Sequence, residues 1–80
     1  MSRRALITAG ASGIGRAMAE AFADAGAQVW VADMDRAALQ GCPEAWRKTV
    51  LDVSDEAGVA SLFAEVGEAW GGVDTLCINA

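Results

Sequence analysis

Histidine and tyrosine are absent from these 80 residues, which hold one proline, one lysine and two cysteines. Without histidine there is no imidazole to serve as a base beside a cysteine nucleophile. Cys42 and Cys77 are too few for a disulfide scaffold and show no CxxC spacing, so they read as reduced thiols rather than as zinc or redox groups. No apolar run approaches the ~20 residues of a membrane span. The basic start Met1-Ser2-Arg3-Arg4 is followed only by Ala5-Leu6-Ile7 before polar and glycine positions intervene, short of the ~7–15-residue core of a signal peptide. A soluble, cytoplasmic chain with no membrane partner is expected. Basic runs are also missing: eleven Asp and Glu against six Lys and Arg give a net charge of −5, which argues against a nucleic-acid surface.

What is present is apolar. A hydrophobic fraction of 54% with 21% charged residues exceeds what a disordered segment carries, while the length allows one unit at most. Ala5 to Ala9 reads as a strand buried on both faces and ended by a glycine-rich turn. From Gly13 to Ala25, the residues Ile14, Met18, Ala21, Phe22 and Ala25 fall at helical spacing, with Gly26 as the stop. Val29 to Ala32 is a second buried run, closing on Asp33, and a short helix is expected from Asp35 to Gln40 before Gly41-Cys42-Pro43. Thr49 to Leu51 reads as a third strand. Ser54 is the expected N-cap of a helix whose inward stripe is Val59, Leu62, Phe63, Val66 and Trp70, stopped by Gly71-Gly72. Val73 to Asn79 is the fourth strand. Strands alternating with helices and apolar on both faces imply a parallel sheet covered on both sides.

The turn Thr8-Ala9-Gly10-Ala11-Ser12-Gly13-Ile14-Gly15 carries the most chemical information. Glycines let a backbone turn tightly and bring its N–H groups against a pyrophosphate, and the positive end of the following helix faces the same charge. The competing reading is that the glycines only let strand and helix pack closely. Asp33 lies 33 − 15 = 18 residues after the last glycine, close to the ~20 at which a carboxylate reaches the adenosine ribose of a dinucleotide. Its competing role is a cap on the helix near Asp35.

These segments resemble the short-chain dehydrogenase/reductase family, whose glycine pattern is TGxxxGxG. Thr8, Gly13 and Gly15 match it, and Ala9 stands where the family has its first glycine; Gly10 beside it is expected to supply the lost backbone freedom. Asp52-Val53 matches the family's acid and aliphatic residue after the third strand, which implies that Asp52 accepts from the adenine amino group while the Val53 backbone meets a ring nitrogen; a plain helix-entry role is the alternative for Asp52. Ile78-Asn79-Ala80 resembles the family's NNAG motif with Ile in place of the first Asn. The resemblance covers the whole chain and implies an α/β fold, the N-terminal half of a doubly wound parallel-sheet Rossmann dinucleotide-binding fold with four strands and alternating helices. Residues 1–80 are then one dinucleotide-binding segment of an incomplete domain, since the chain stops inside a motif. The expected cofactor-binding set is Ala9, Ser12, Gly13, Ile14, Gly15, Asp33, Asp52, Val53, Asn79 and Ala80. Asn79 is read as structural and adjacent to the cofactor.

Relatives that prefer a 2′-phosphate carry a basic residue at the positions of Ser12 or Met34, both uncharged here, so NAD is expected over NADP. The family transfers hydride between nicotinamide and an alcohol or ketone, using a tyrosine acid/base, a lysine that lowers its pKa and a serine. This chain has no tyrosine, and Lys48 reads as a solvated charge at the far end of the third strand, so no catalytic residue is assigned and no metal is expected. The resemblance further implies a small alcohol or ketone substrate and a homo-oligomer for the full-length protein. Two other classes share parts of the pattern: a non-catalytic dinucleotide-binding module, to be told apart by a Tyr-x-x-x-Lys further along the gene, and a methyltransferase, disfavoured by the glycine order and Asn79. Trp30, Trp46 and Trp70 read as core rather than as base-stacking residues, and Arg16 as a solvated helical charge rather than a phosphate ligand.

Cores of this size rarely supply more than ~3–5 kcal/mol. The isolated 80-residue chain is therefore expected to show no dehydrogenase turnover and to aggregate or stay partly unfolded; a cooperative thermal melt from a monomer at micromolar concentration would contradict the second expectation.

Overall fold

Alternation of side chains along the apolar runs decides the architecture. In a computed structural model, which describes residues 3–78, strands β1 (Arg4–Thr8), β2 (Gln28–Asp33), β3 (Arg47–Val50) and β4 (Thr75–Cys77) form one parallel sheet in the order β3-β2-β1-β4. Helices α1 (Gly13–Asp24), α2 (Arg36–Gln40) and α3 (Glu56–Trp70) connect them. On one face Ala5, Ile7, Val29 and Val31 pack with Ala19 of α1, Leu39 of α2, and Cys42 and Trp46 of the segment that follows. On the other, Leu6, Trp30 and Ala32 pack with Leu51 and with Leu62, Val66 and Trp70 of α3. Both faces are thus buried, and the strands read as unbroken apolar runs for that reason. The order reverses beside β1, so the carboxyl ends of β1 and β4 flank a switch point of the kind where ligands bind open α/β sheets.

Trp30 anchors the α3 face. Its ring meets Trp70 edge to face at 5.2 Å, the Arg47 guanidinium lies 5.3 Å above it, and its Nε1–H donates to Thr49 Oγ1 at 2.9 Å. Thr49 in turn donates to Glu65 Oε1 at 3.2 Å. All three tryptophans are buried, as core packing requires. At the end of α1 the N–H groups of Gly26 and Ala27 bond back to the carbonyls of Ala23 and Phe22, with Gly26 in the left-handed conformation, a Schellman stop.

Five expectations are corrected. Helix α1 is rotated relative to its large apolar residues: Gly15 and Ala19 face inward, Phe22 and Ala23 are partly covered, and Ile14 is 80% exposed, with Ala21 and Ala25 exposed too. The smallest side chains win because α1 approaches the preceding turn too closely for larger ones. Phe63, expected inside α3's stripe, is 44% exposed. The N-cap of α3 is Asp55, whose carboxylate accepts from Gly58 N–H at 3.2 Å, because Ser54 is engaged with Asp52. The strand bounds differ as well: β3 is Arg47–Val50, displaced toward the N-terminus from the expected Thr49–Leu51, and β4 is Thr75–Cys77, shorter than the expected Val73–Asn79, of which Asn79 lies outside the described residues. Lys48 is within β3 and half-buried, its Nζ donating to the Cys42 carbonyl at 3.0 Å, so it ties β3 to the segment that follows α2 rather than sitting as a solvated charge.

Asp55→Ala removes the bond that satisfies an orphan N–H of α3 and is expected to lower stability by ~1 kcal/mol, measured as a shift in the denaturant midpoint at unchanged slope.

Candidate cofactor site

The turn between β1 and α1 is shaped by two close approaches and by one residue other than glycine in the left-handed conformation. Ala9 itself takes the left-handed conformation, φ +53°, and Gly10 does not; the expectation that Gly10 supplies the turn's freedom is overturned. Gly10 is needed for space, since a Cβ there would lie 2.7 Å from Val31 Cγ1 and 3.0 Å from the Ile7 carbonyl. Gly15 is the tightest position: a Cβ would sit 2.0 Å from the Ala9 carbonyl oxygen. Gly13, at φ +60°, has nothing within 4 Å of where a Cβ would be, so the backbone there faces open space. Close packing and an open cradle therefore coexist in one turn, the first at Gly10 and Gly15, the second at Gly13.

Ser12 is the N-cap of α1, with extended backbone, but its side chain makes no capping bond, and no acid lies in the first turn. Asp35 caps α2, accepting from Ala38 N–H at 3.1 Å, and Asp55 caps α3. Among the described helices α1 alone has no side-chain cap, and its first N–H groups keep their partial positive charge. Ser12, Gly13 and Ile14 are exposed at this end, and Arg16 is turned away: it pairs with Glu20 at 3.1 Å and donates to the Gly41 carbonyl at 3.3 Å.

Asp33 closes β2 and is partly buried. Its Oδ2 accepts from the Ala11 N–H at 3.2 Å and its Oδ1 from the Asp35 N–H at 3.0 Å. The competing cap role falls to Asp35, while Asp33 braces the turn that enters α2. Met34 beside it is exposed. The Asp33 carbonyl accepts from Leu51 N–H at 2.9 Å, which brings the end of β3, and so Asp52-Val53, alongside. Asp52 is exposed, and its Oδ1 accepts from both the N–H of Ser54 at 2.9 Å and its hydroxyl at 2.7 Å. These two bonds, the N–H first, hold its carboxyl below the ordinary pKa; the turn keeps its anion above that range and loses it as pH falls through the lowered value. Val53 lines an apolar hollow of about 220 Å³ with Thr8, Leu51, Val59 and Ile78. Asn79 and Ala80 lie outside the described residues.

Ala9, Ser12, Gly13, Ile14, Gly15 and Asp33 are thus gathered by β1, α1 and β2, with Asp52 and Val53 beside them at the end of β3. Sequence spacing misses the Ala11 N–H, because a backbone donor carries no residue signature.

The family described as enoyl-(acyl carrier protein) reductase matches residues 8–80. Sorbitol dehydrogenase of Cereibacter sphaeroides is 42% identical over 82 residues, which cover 98% of this chain and 32% of that protein. The chain belongs to the short-chain dehydrogenase/reductase family. Among solved structures, a short-chain dehydrogenase from Bacillus anthracis superposes with a TM-score of 0.88 at 27% identity, covering 98% of this chain and 34% of that one. A 3-ketoacyl-(acyl-carrier-protein) reductase from Brucella melitensis, complexed with NADH, does so at 0.83 and 35% identity, covering 92% and 32%. The chain spans about a third of the length of the curated relatives it matches. These neighbours share the parallel α/β sheet of the Rossmann type, in agreement with the fold class expected from the sequence.

For this member of the short-chain dehydrogenase/reductase family, the left-handed Ala9 carries a conformational cost that glycine does not. Ala9→Gly is expected to raise stability by about 1 kcal/mol, read as an increase in Tm of the intact gene product.

Proposed function

We propose that this chain is the cofactor-binding portion of a longer oxidoreductase that moves hydride between a nicotinamide dinucleotide and a small alcohol or ketone, with NAD preferred over NADP. The single observation that carries the cofactor preference is the Asp33 carboxylate at the end of β2, bonded to the turn that precedes α1. A carboxylate there accepts from ribose hydroxyls and repels a 2′-phosphate. Ser12 and Met34, the positions where a cation would favour that phosphate, are uncharged and exposed.

The residues fit the group. The uncapped start of α1 and the open space at Gly13 suit a pyrophosphate, and Asp33 suits the adenosine ribose. Asp52 offers the exposed acceptor and Val53 the apolar wall on which an adenine ring would rest. When bound, the nicotinamide supplies the hydride donor or acceptor. The turn binds and orients the phosphates, α1 complements their charge, and the β3 end fixes the adenine side. The acid/base group for the alcohol proton belongs to residues outside these eighty, as do the substrate pocket and the contacts of a homo-oligomer, both proposed on the family's pattern.

In the intact gene product, NADH and NADPH titrations followed by fluorescence are expected to favour NADH. Asp33→Ala is expected to narrow that preference by ~1–3 kcal/mol; equal discrimination in wild type and variant would remove the basis for the NAD assignment.

A further inference from the structure

Ala11 lies at the centre of the glycine turn yet is only 2% exposed. An amide in such a place must find a partner inside the protein, because an unpaired buried N–H carries its full desolvation cost. The partner is Asp33 Oδ2 at 3.2 Å, across 22 residues of chain. The turn's other backbone link to β2 runs from Gly10 N–H to the Ala32 carbonyl at 3.4 Å, longer than an ordinary N–H···O bond. The Asp33 bond is the shorter of the two and is accepted by a side-chain carboxylate oxygen. The Ala11 carbonyl, in the next peptide group, faces Cys42 Sγ at 4.0 Å.

We propose that the Asp33 carboxylate is the strut that holds the glycine turn in its binding conformation, in addition to reading the adenosine ribose. The ribose half of that statement rests on the cofactor reading above; the strut does not. Asp33 links three segments at once: the turn through Oδ2, the entry to α2 through Oδ1 on the Asp35 N–H, and the end of β3 through its carbonyl on Leu51 N–H. The two tasks are compatible. A carboxylate offers about four lone-pair positions, and the two N–H groups occupy two of them, leaving one on each oxygen for a ribose hydroxyl. The same side chain therefore couples the adenosine end of the cofactor to the conformation of the loop that receives its phosphates. Removing the acid relieves the repulsion of a 2′-phosphate but also releases the loop, so the gain for NADP that a purely ribose-reading carboxylate would give does not appear.

Amide hydrogen exchange of the cofactor-free intact gene product tests this, with wild type, Asp33→Asn and Asp33→Ala compared by residue-resolved NMR. In Asp33→Ala the Ala11 amide is expected to exchange at least about ten-fold faster while Leu6 and Val31 in the central strands keep their protection. Asp33→Asn keeps one acceptor oxygen and turns an NH2 donor toward the other N–H, so it is expected to spare one of the Ala11 and Asp35 amides and expose the other. Unchanged Ala11 exchange in the alanine variant, or full protection of both amides in the asparagine variant, overturns the strut. Where the alanine variant unfolds, the asparagine comparison decides. NADPH titration of the same variants is expected to show an affinity equal to or below that of wild type; a rise overturns the coupling. Faster Ala11 exchange without any change in cofactor discrimination would leave the strut standing and remove the NAD reading instead.

Discussion

The approach of Gly15 to the Ala9 carbonyl governs the geometry around it. With room for a hydrogen and not a methyl, helix α1 docks so that its first turn lies directly against the loop that precedes it. This closeness decides which face of α1 turns inward. Gly15 and Ala19 fit against the turn and strands, and Ile14 and Ala21 are displaced to the surface. The same layer contains Gly10, whose missing side chain leaves space for Val31 and the Ile7 carbonyl, so the turn packs directly on β1 and β2. Protein interiors tolerate neither gaps nor overlaps of a methyl group, and a small residue at each of these contacts is the solution this chain adopts.

Close docking also explains why the turn holds a non-glycine residue in a conformation that L side chains resist. Ala9 is pinned between the end of β1 and Gly15, and its carbonyl must point at the helix. Strain of this kind persists where surrounding contacts over-determine the backbone, and here the contacts are those of Gly10, Gly15 and the Ala11–Asp33 bond. A glycine at position 9 would relieve the strain without altering the direction of the chain.

Much of this was legible in the sequence, and the exceptions have physical causes. Alternating apolar runs and the distance from Gly15 to Asp33 are long-range patterns, and they located the strands, the turn and the acid that closes β2. Misplaced features were those that depend on volume or on a choice between adjacent polar residues. Hydrophobicity ranks Ile14 above Ala19, but docking distance ranks them the other way. Ser54 and Asp55 are equally good caps by residue type; Asp52 captures Ser54 through two bonds, and the cap passes to Asp55. Ala9 and Gly10 were exchanged in role because residue type suggests which can adopt a positive φ and not which must. Lys48 reaches the Cys42 carbonyl through an aliphatic stem that sequence reading treats as solvent-directed.

The carboxylates are placed where backbone N–H groups need acceptors. A net charge of −5 opposes an anionic ligand, but the acids at and after the carboxyl ends of β2 and β3 are engaged with backbone N–H groups. Asp33 accepts from Ala11 and Asp35, Asp35 from Ala38, Asp52 from Ser54 and Asp55 from Gly58. Helices α2 and α3 have their N-terminal charge answered by their own aspartates, which weakens both as anion sites. Only α1 is left uncapped among the described helices, at the one turn where Gly13 opens the backbone to solvent. The acidic composition thus leaves α1 as the one helix terminus, among those described, whose charge is not answered by its own side chain, and Asp33 stands beside it through its bond to the Ala11 N–H.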